Sequence, residues 1–205
     1  MHTLWRKLTY KKLAAEKLDG LILDLGGEKN AEYHHLIKGS HEIKVVNLDE
    51  RYGYDLFFDL ENAFPVEKES YDNVLAINVL EHIYNYKNFI AESYRILKKE
   101  GKIIIAVPFL YQVHPCPKDF WRFTHFSLEK ILAEAGFTDI VVEPLGFGLF
   151  SSIYNQTYNI QKIGVLKIII EKFCIFLDKI YNLIKPNNYQ GKKFYPLGYY
   201  VTAKK

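Results

Sequence analysis

Cysteine is scarce. Cys116 and Cys174 are the two in the chain, far apart and at no metal or redox spacing, which points to a reduced, cytoplasmic setting. Charge of one sign is also missing: the formal net charge of +3 is too small to suggest a nucleic-acid binder. No stretch reaches about 18 uncharged apolar residues, so no membrane-spanning helix is expected. Met1 to Leu18 carries basic residues but no unbroken apolar core, which argues against a signal peptide. There is no internal repeat, low-complexity tract or Gly/Ser linker. With 205 residues, the expectation is one domain with a substantial core. Aromatics are abundant, with 16 Tyr and 14 Phe, which favours tight packing and aromatic-lined pockets.

Short apolar runs alternate with helical segments, the pattern of a parallel sheet with crossover helices. The predicted strands are Leu21–Leu25, Lys44–Leu48, Asp55–Phe58, Asn73–Ile77, Lys102–Val107, Thr138–Glu143 and Gly198–Lys204. Helices are predicted over Ala31–Ile37 and over Tyr86–Lys98, the latter with Phe89, Ile90, Tyr94 and Leu97 at helical spacing and Gly101 as terminator. A further helix is predicted over Leu128–Ala135, with Ser127 as N-cap and Gly136 as stop.

The richest stretch is Asn78-Val79-Leu80-Glu81-His82-Ile83, directly after the apolar run Val74–Ile77. A strand ending in an acid-plus-imidazole turn places chemistry at the carboxyl edge of a sheet, where open α/β folds bind ligands. Upstream, Gly26-Gly27 closes the first strand. Glycine permits a sharp turn and close ligand approach, and the helix start beyond offers free N–H groups. Asp49 ends the second strand, where a carboxylate can accept from a ribose diol, with Glu50 beside it to share the role. Asp59-Leu60 can meet an adenine edge. A tight βα turn, a solvated loop acid and a turn aspartate are the ordinary alternatives for these three places.

In order along the chain, Leu23-Asp24-Leu25-Gly26-Gly27, Asn47-Leu48-Asp49, Asp59-Leu60, Phe64-Pro65, Tyr71-Asp72-Asn73-Val74, Val79-Leu80-Glu81-His82-Ile83, Arg95 to Lys102 and Gly136-Phe137 resemble the class I S-adenosylmethionine-dependent methyltransferases. The resemblance is to the type 11-like branch with a vLEHi turn, and it covers about Leu21 to Glu143. It implies a Rossmann-like α/β fold: seven mostly parallel strands, an antiparallel last strand and helices on both faces. It also implies S-adenosyl-L-methionine as cofactor, held by Asp24, Gly26, Gly27, Asp49, Asp59, Leu60 and Asn78. Val107 to Tyr111, His114-Pro115 and Pro117 to Thr124 are similar to bacterial methyltransferases of surface-polysaccharide or glycolipid assembly, which implies a small-molecule, sugar or glycolipid acceptor. The chain departs from the family loop D-x-G-x-G-x-G, with Glu28 and Asn30 at the second and third glycine positions. Glu28 must point away from a methionine carboxylate if the site works.

The sulfonium is already a methyl donor, so the protein has chiefly to align acceptor and donor and exclude water. His114 and His82 are the candidate catalytic bases, His114 preferred because its loop follows the fifth strand; His82 has the alternative of a packing role. Asp119, Trp121 and Arg122 are the candidate acceptor-binding residues, with a local Asp119–Arg122 ion pair as the alternative. His114, Cys116 and His125 match no standard metal spacing, so no metal is expected.

A helical insertion is expected at about 144–197, between strands six and seven. Its main helix, Val165–Lys185, has only a narrow polar stripe. Such a helix is expected to be buried on most sides, as a cap over the site or a homodimer interface, or to lie on a membrane surface. Two other functions are weighed. A nicotinamide-dependent oxidoreductase lacks G-x-G-x-x-G. A non-catalytic methyltransferase-fold binding module is the reading that the altered glycine loop keeps open.

Overall fold

The computed structural model describes residues 2–48, 54–115, 118–157, 164–185 and 190–205. Seven strands form one sheet: β1 (Gly20–Leu25), β2 (His41–Asn47), β3 (Leu56–Phe57), β4 (Tyr71–Ile77), β5 (Leu97–Pro108), β6 (Thr138–Leu145) and β7 (Gly198–Lys204). Their spatial order is β3-β2-β1-β4-β5-β7-β6. The first five are parallel, and β7 runs antiparallel between β5 and β6. The expected Rossmann-like architecture, with its antiparallel last strand, is therefore observed.

Burial on both faces explains the unbroken apolar runs of the central strands. Alternate residues divide between two cores. Leu23, Leu25, Val74, Ala76, Ile103 and Ile105 face one side, and Ile22, Leu75, Ile77, Ile104 and Ala106 face the other. Helices α2 (Tyr86–Ile96) and α3 (His125–Glu134) supply Phe89, Ile90, Leu128 and Leu132 to the first core. Helix α1 (Leu4–Leu13) supplies Leu4, Trp5 and Leu13 to the second.

The sequence reading missed α1. Its buried stripe is interrupted by Thr9, whose hydroxyl is turned onto the Trp5 carbonyl, so the apolar period is faint. Three other local expectations need correction. Ala31–Ile37 is no α-helix but a short 3₁₀ segment, Glu32–Leu36; Lys38 already pairs with Lys17, which leaves little chain for a longer helix. The helix before β5 stops at Ile96, because Leu97 is extended and pairs with Tyr71. Gly101 therefore lies within a bulged strand, not at a helix end. The cap of α3 is Thr124, whose hydroxyl accepts from the Ser127 N–H at 3.3 Å.

Between β6 and β7 lie α4 (Leu149–Thr157), α5 (Gly164–Ile184) and α6 (Gly191–Phe194). Leu145 and Pro108 both pair with Gly198, so this helical excursion leaves and rejoins the sheet at the edge where β5 ends. Asp178 of α5 holds the pair together, accepting from the Phe150 and Ser151 N–H groups at the start of α4. Within the chain α5 does not form a covered cap: Asp178 is its one buried residue, while Val165, Ile169, Phe173, Phe176 and Leu183 are exposed. Among the described residues, no helix is long and apolar enough to cross a membrane.

Candidate active site

Parallel pairing brings the ends of β1, β2, β4 and β5 to one edge. The chain turns away on opposite sides after β1 and β4, so their junction is the switch point where such sheets take ligands. Gly26 turns there with φ +78°, and a Cβ on it would sit 2.5 Å from Val79 Cγ2 and 3.7 Å from Leu60 Cδ1. The predicted Gly26, Leu60 and β4-end residues thus converge. Leu60 is buried and Asp59 is exposed. Their loop is fastened by the next residue, Glu61, whose carboxylate accepts from the N–H groups of Tyr84 and Asn85 ahead of α2. Asn78, in a left-handed conformation with φ +55°, accepts from Trp5 Nε1 at 2.8 Å. Asp49 and its neighbour Glu50 lie outside the described residues.

Gly27 has a different reason to be glycine. A Cβ there would lie 2.1 Å from Asp24 Oδ2 and 2.8 Å from the Tyr33 hydroxyl. Asp24 is fully buried, and Oδ2 accepts from Tyr33 at 2.5 Å and pairs with His34 Nε2 at 2.7 Å. Its other oxygen, Oδ1, is buried without a partner. An unpaired carboxylate oxygen beneath a glycine turn fits a ligand ammonium group, reached directly or through water. Glu28 is exposed. Tyr33, His34 and Trp5 carry no motif, and sequence reasoning missed all three.

On the other side of β4, a 3₁₀ turn, Leu80–His82, meets the loop after β5. The Glu81 carbonyl accepts from the Phe120 and Trp121 N–H groups, which pins that loop over the turn. His82 and His114 come together with ring centroids 4.9 Å apart. Their Nε2 atoms lie 3.8 and 3.7 Å from Glu81 Oε1, beyond hydrogen-bonding distance. The Glu81 side chain is fully buried, and neither of its carboxylate oxygens has a partner. The Glu81 carboxylate is the chief influence raising the His114 pKa, with burial opposing it. His125 stands apart, packed on Phe126 and Tyr199, and Cys116 lies outside the described residues.

Asp119, Trp121 and Arg122 line one cavity of about 280 Å³ with Phe109, Tyr111, Val113 and Phe120. Arg122 forms a fork with Asp119 at 2.5 and 2.7 Å and also donates to the Trp121 and Gln112 carbonyls. Burial opposes the Asp119 charge, but Arg122 and the His114 N–H outweigh it and bring its carboxyl down to about 2. Trp121 stacks on Tyr84, and its indole N–H is buried and unpartnered. A second cavity of about 310 Å³ lies along β2, lined by Asn30, His34, His41 and Asp55. It flanks the glycine turn from outside and includes neither Gly26 nor Asn78.

Residues 44–105 match the family model described as Methyltransferase domain. An uncharacterized protein of Methanocaldococcus jannaschii is 36% identical over 105 residues, 49% of this chain and 45% of that protein, so the match spans less than half of the relative's length. A solved structure of a SAM-dependent methyltransferase from Archaeoglobus fulgidus aligns with TM-score 0.60 at 18% identity, covering 98% of this chain and 94% of the other. A SAM-dependent methyltransferase from Thermotoga maritima aligns with TM-score 0.61 at 17% identity, covering 98% and 91%. The chain shares the Rossmann-like fold of solved SAM-dependent methyltransferases, and residues 44–105, from within β2 to within β5, match the methyltransferase-domain model.

Proposed function

We propose that this protein is an S-adenosylmethionine-dependent methyltransferase acting on a small-molecule, sugar or glycolipid acceptor. One observation carries the reading. At the switch point between β1 and β4, a left-handed Gly26 meets Val79 and Leu60, and Gly27 packs on Asp24, whose Oδ1 is buried and unpaired. Asp24, the Gly26-Gly27 turn, Asp59, Leu60 and Asn78 would hold the cofactor, which supplies an activated methyl group when bound. Asp49 is assigned with them from its place at the end of the second predicted strand and from the resemblance.

The acceptor side is the aromatic cavity beyond β5. Trp121 lines it, whereas Asp119 and Arg122 satisfy one another and shape the loop. Both His82 and His114 have Nε2 turned toward Glu81. They act as one unit with that carboxylate and not as two independent bases.

Calorimetry with S-adenosylhomocysteine and with NAD tests the reading. Saturable one-to-one binding of the first alone supports it. Binding of neither favours a non-catalytic module of the same fold, and binding of NAD alone favours an oxidoreductase.

The exposed apolar side of α5 is proposed as a contact face, for a bilayer surface or for a second copy of the chain. Flotation with anionic vesicles and sedimentation over a range of concentrations separate the two; a monomer that ignores vesicles removes both.

A further inference from the structure

We propose that Glu81, His82 and His114 bind a divalent transition-metal ion. The reasoning starts from protons. His82 Nδ1 lies 2.5 Å from the Lys118 carbonyl oxygen. A carbonyl only accepts, so Nδ1 carries the hydrogen and Nε2 of the neutral ring carries a lone pair. His114 Nδ1 lies 3.2 Å from the Gln112 carbonyl oxygen and 3.2 Å from Asp119 Oδ2, two acceptors again. Its Nε2 is likewise left as the lone-pair nitrogen. Both lone pairs point at Glu81 Oε1 from 3.7–3.8 Å, and neither oxygen of that fully buried carboxylate has a donor. With both rings neutral, three electron-pair donors therefore face one another, all within 4.8 Å.

A cation at their centre resolves this arrangement. Metal–nitrogen and metal–oxygen bonds of about 2.0–2.2 Å place neighbouring ligand atoms roughly 3–3.5 Å apart, so the separations from Glu81 need to shrink by only a few tenths of an ångström. Two imidazoles and one carboxylate suit Zn²⁺, Mn²⁺, Fe²⁺ or Co²⁺ better than Mg²⁺ or Ca²⁺, which prefer all-oxygen shells. The Nδ1 hydrogen bonds to the Lys118 and Gln112 carbonyls are the outer contacts that orient metal-binding imidazoles. Along the sequence the three ligands come from the acid–imidazole turn and a loop residue 32 positions after His82, a spacing no short motif describes.

Three protein ligands leave coordination positions open, as in sites that take a substrate oxygen. The ion would then bind a hydroxyl or carboxylate oxygen of the acceptor. That role rests on the proposed transferase reading; cation binding itself does not.

The test uses the full chain, stripped by chelator and titrated with Co²⁺ or Zn²⁺ alone. One equivalent should bind the wild type. His114→Ala and Glu81→Gln should each weaken binding at least tenfold, with circular dichroism confirming that the variants fold. His114 is in a surface loop, so its variant keeps the test valid if Glu81→Gln does not fold. No binding by the wild type, or equal binding by a folded His114→Ala, overturns the proposal. S-adenosylhomocysteine binding by the same stripped samples reports on the proposed cofactor site separately.

Discussion

A carboxylate whose side chain is 1% exposed stays charged only where donors surround it. Asp119 has two guanidinium N–H groups and the His114 backbone N–H, and its folded pKa of about 2 lies below the ordinary value. A lowered carboxyl pKa adds stability above the unfolded value, and that stability is lost as pH falls through the folded value. Asp119 should therefore contribute roughly 2 kcal/mol near pH 6, fading between about pH 4 and 2. Denaturant unfolding of wild type and Asp119→Asn at a series of pH values checks this; a gap that does not narrow toward pH 2 contradicts it. Gly27 makes the second residue-scale claim. With Asp24 and Tyr33 filling the space of its missing side chain, Gly27→Ala should cost about 1–3 kcal/mol, read from the urea midpoint. Wild-type stability in that variant would mean Asp24 and Tyr33 can yield.

Among the elements, α4 and α5 depend on one buried acid. Removing the Asp178 carboxylate strands the Phe150 and Ser151 N–H groups, at about 1–3 kcal/mol each. Amide exchange at those two positions should accelerate in Asp178→Ala and recover partly in Asp178→Asn; unchanged exchange would place the cap elsewhere. All seven strands, α2, α3 and the body of α5 could be read from the chain. Where side chains make polar contacts, the period misleads. Thr9 hides α1, and Leu97 continues the apolar period of α2 although it pairs with Tyr71 in the sheet. The exposed face of α5 was legible as apolar but not as uncovered, since pattern alone cannot say what packs against a helix.

At the scale of the molecule, the sheet order follows from alternating strands and helices, and it sets the glycine turn beside the acid–imidazole turn at one edge. Motif order along the chain made that edge legible. The side chains that complete it were not: Tyr33 and His34 on Asp24, Trp5 on Asn78, and Glu81 between two imidazoles are contacts between distant or unpatterned residues. The central claim is that the sheet edge where β1 and β4 end binds an adenosyl cofactor. A crystal structure grown with S-adenosylhomocysteine tests it most directly. Ligand density against the Gly26-Gly27 turn and the end of β4 is the predicted result; a turn closed over Asp24, Tyr33 and Val79 at saturating ligand would contradict it.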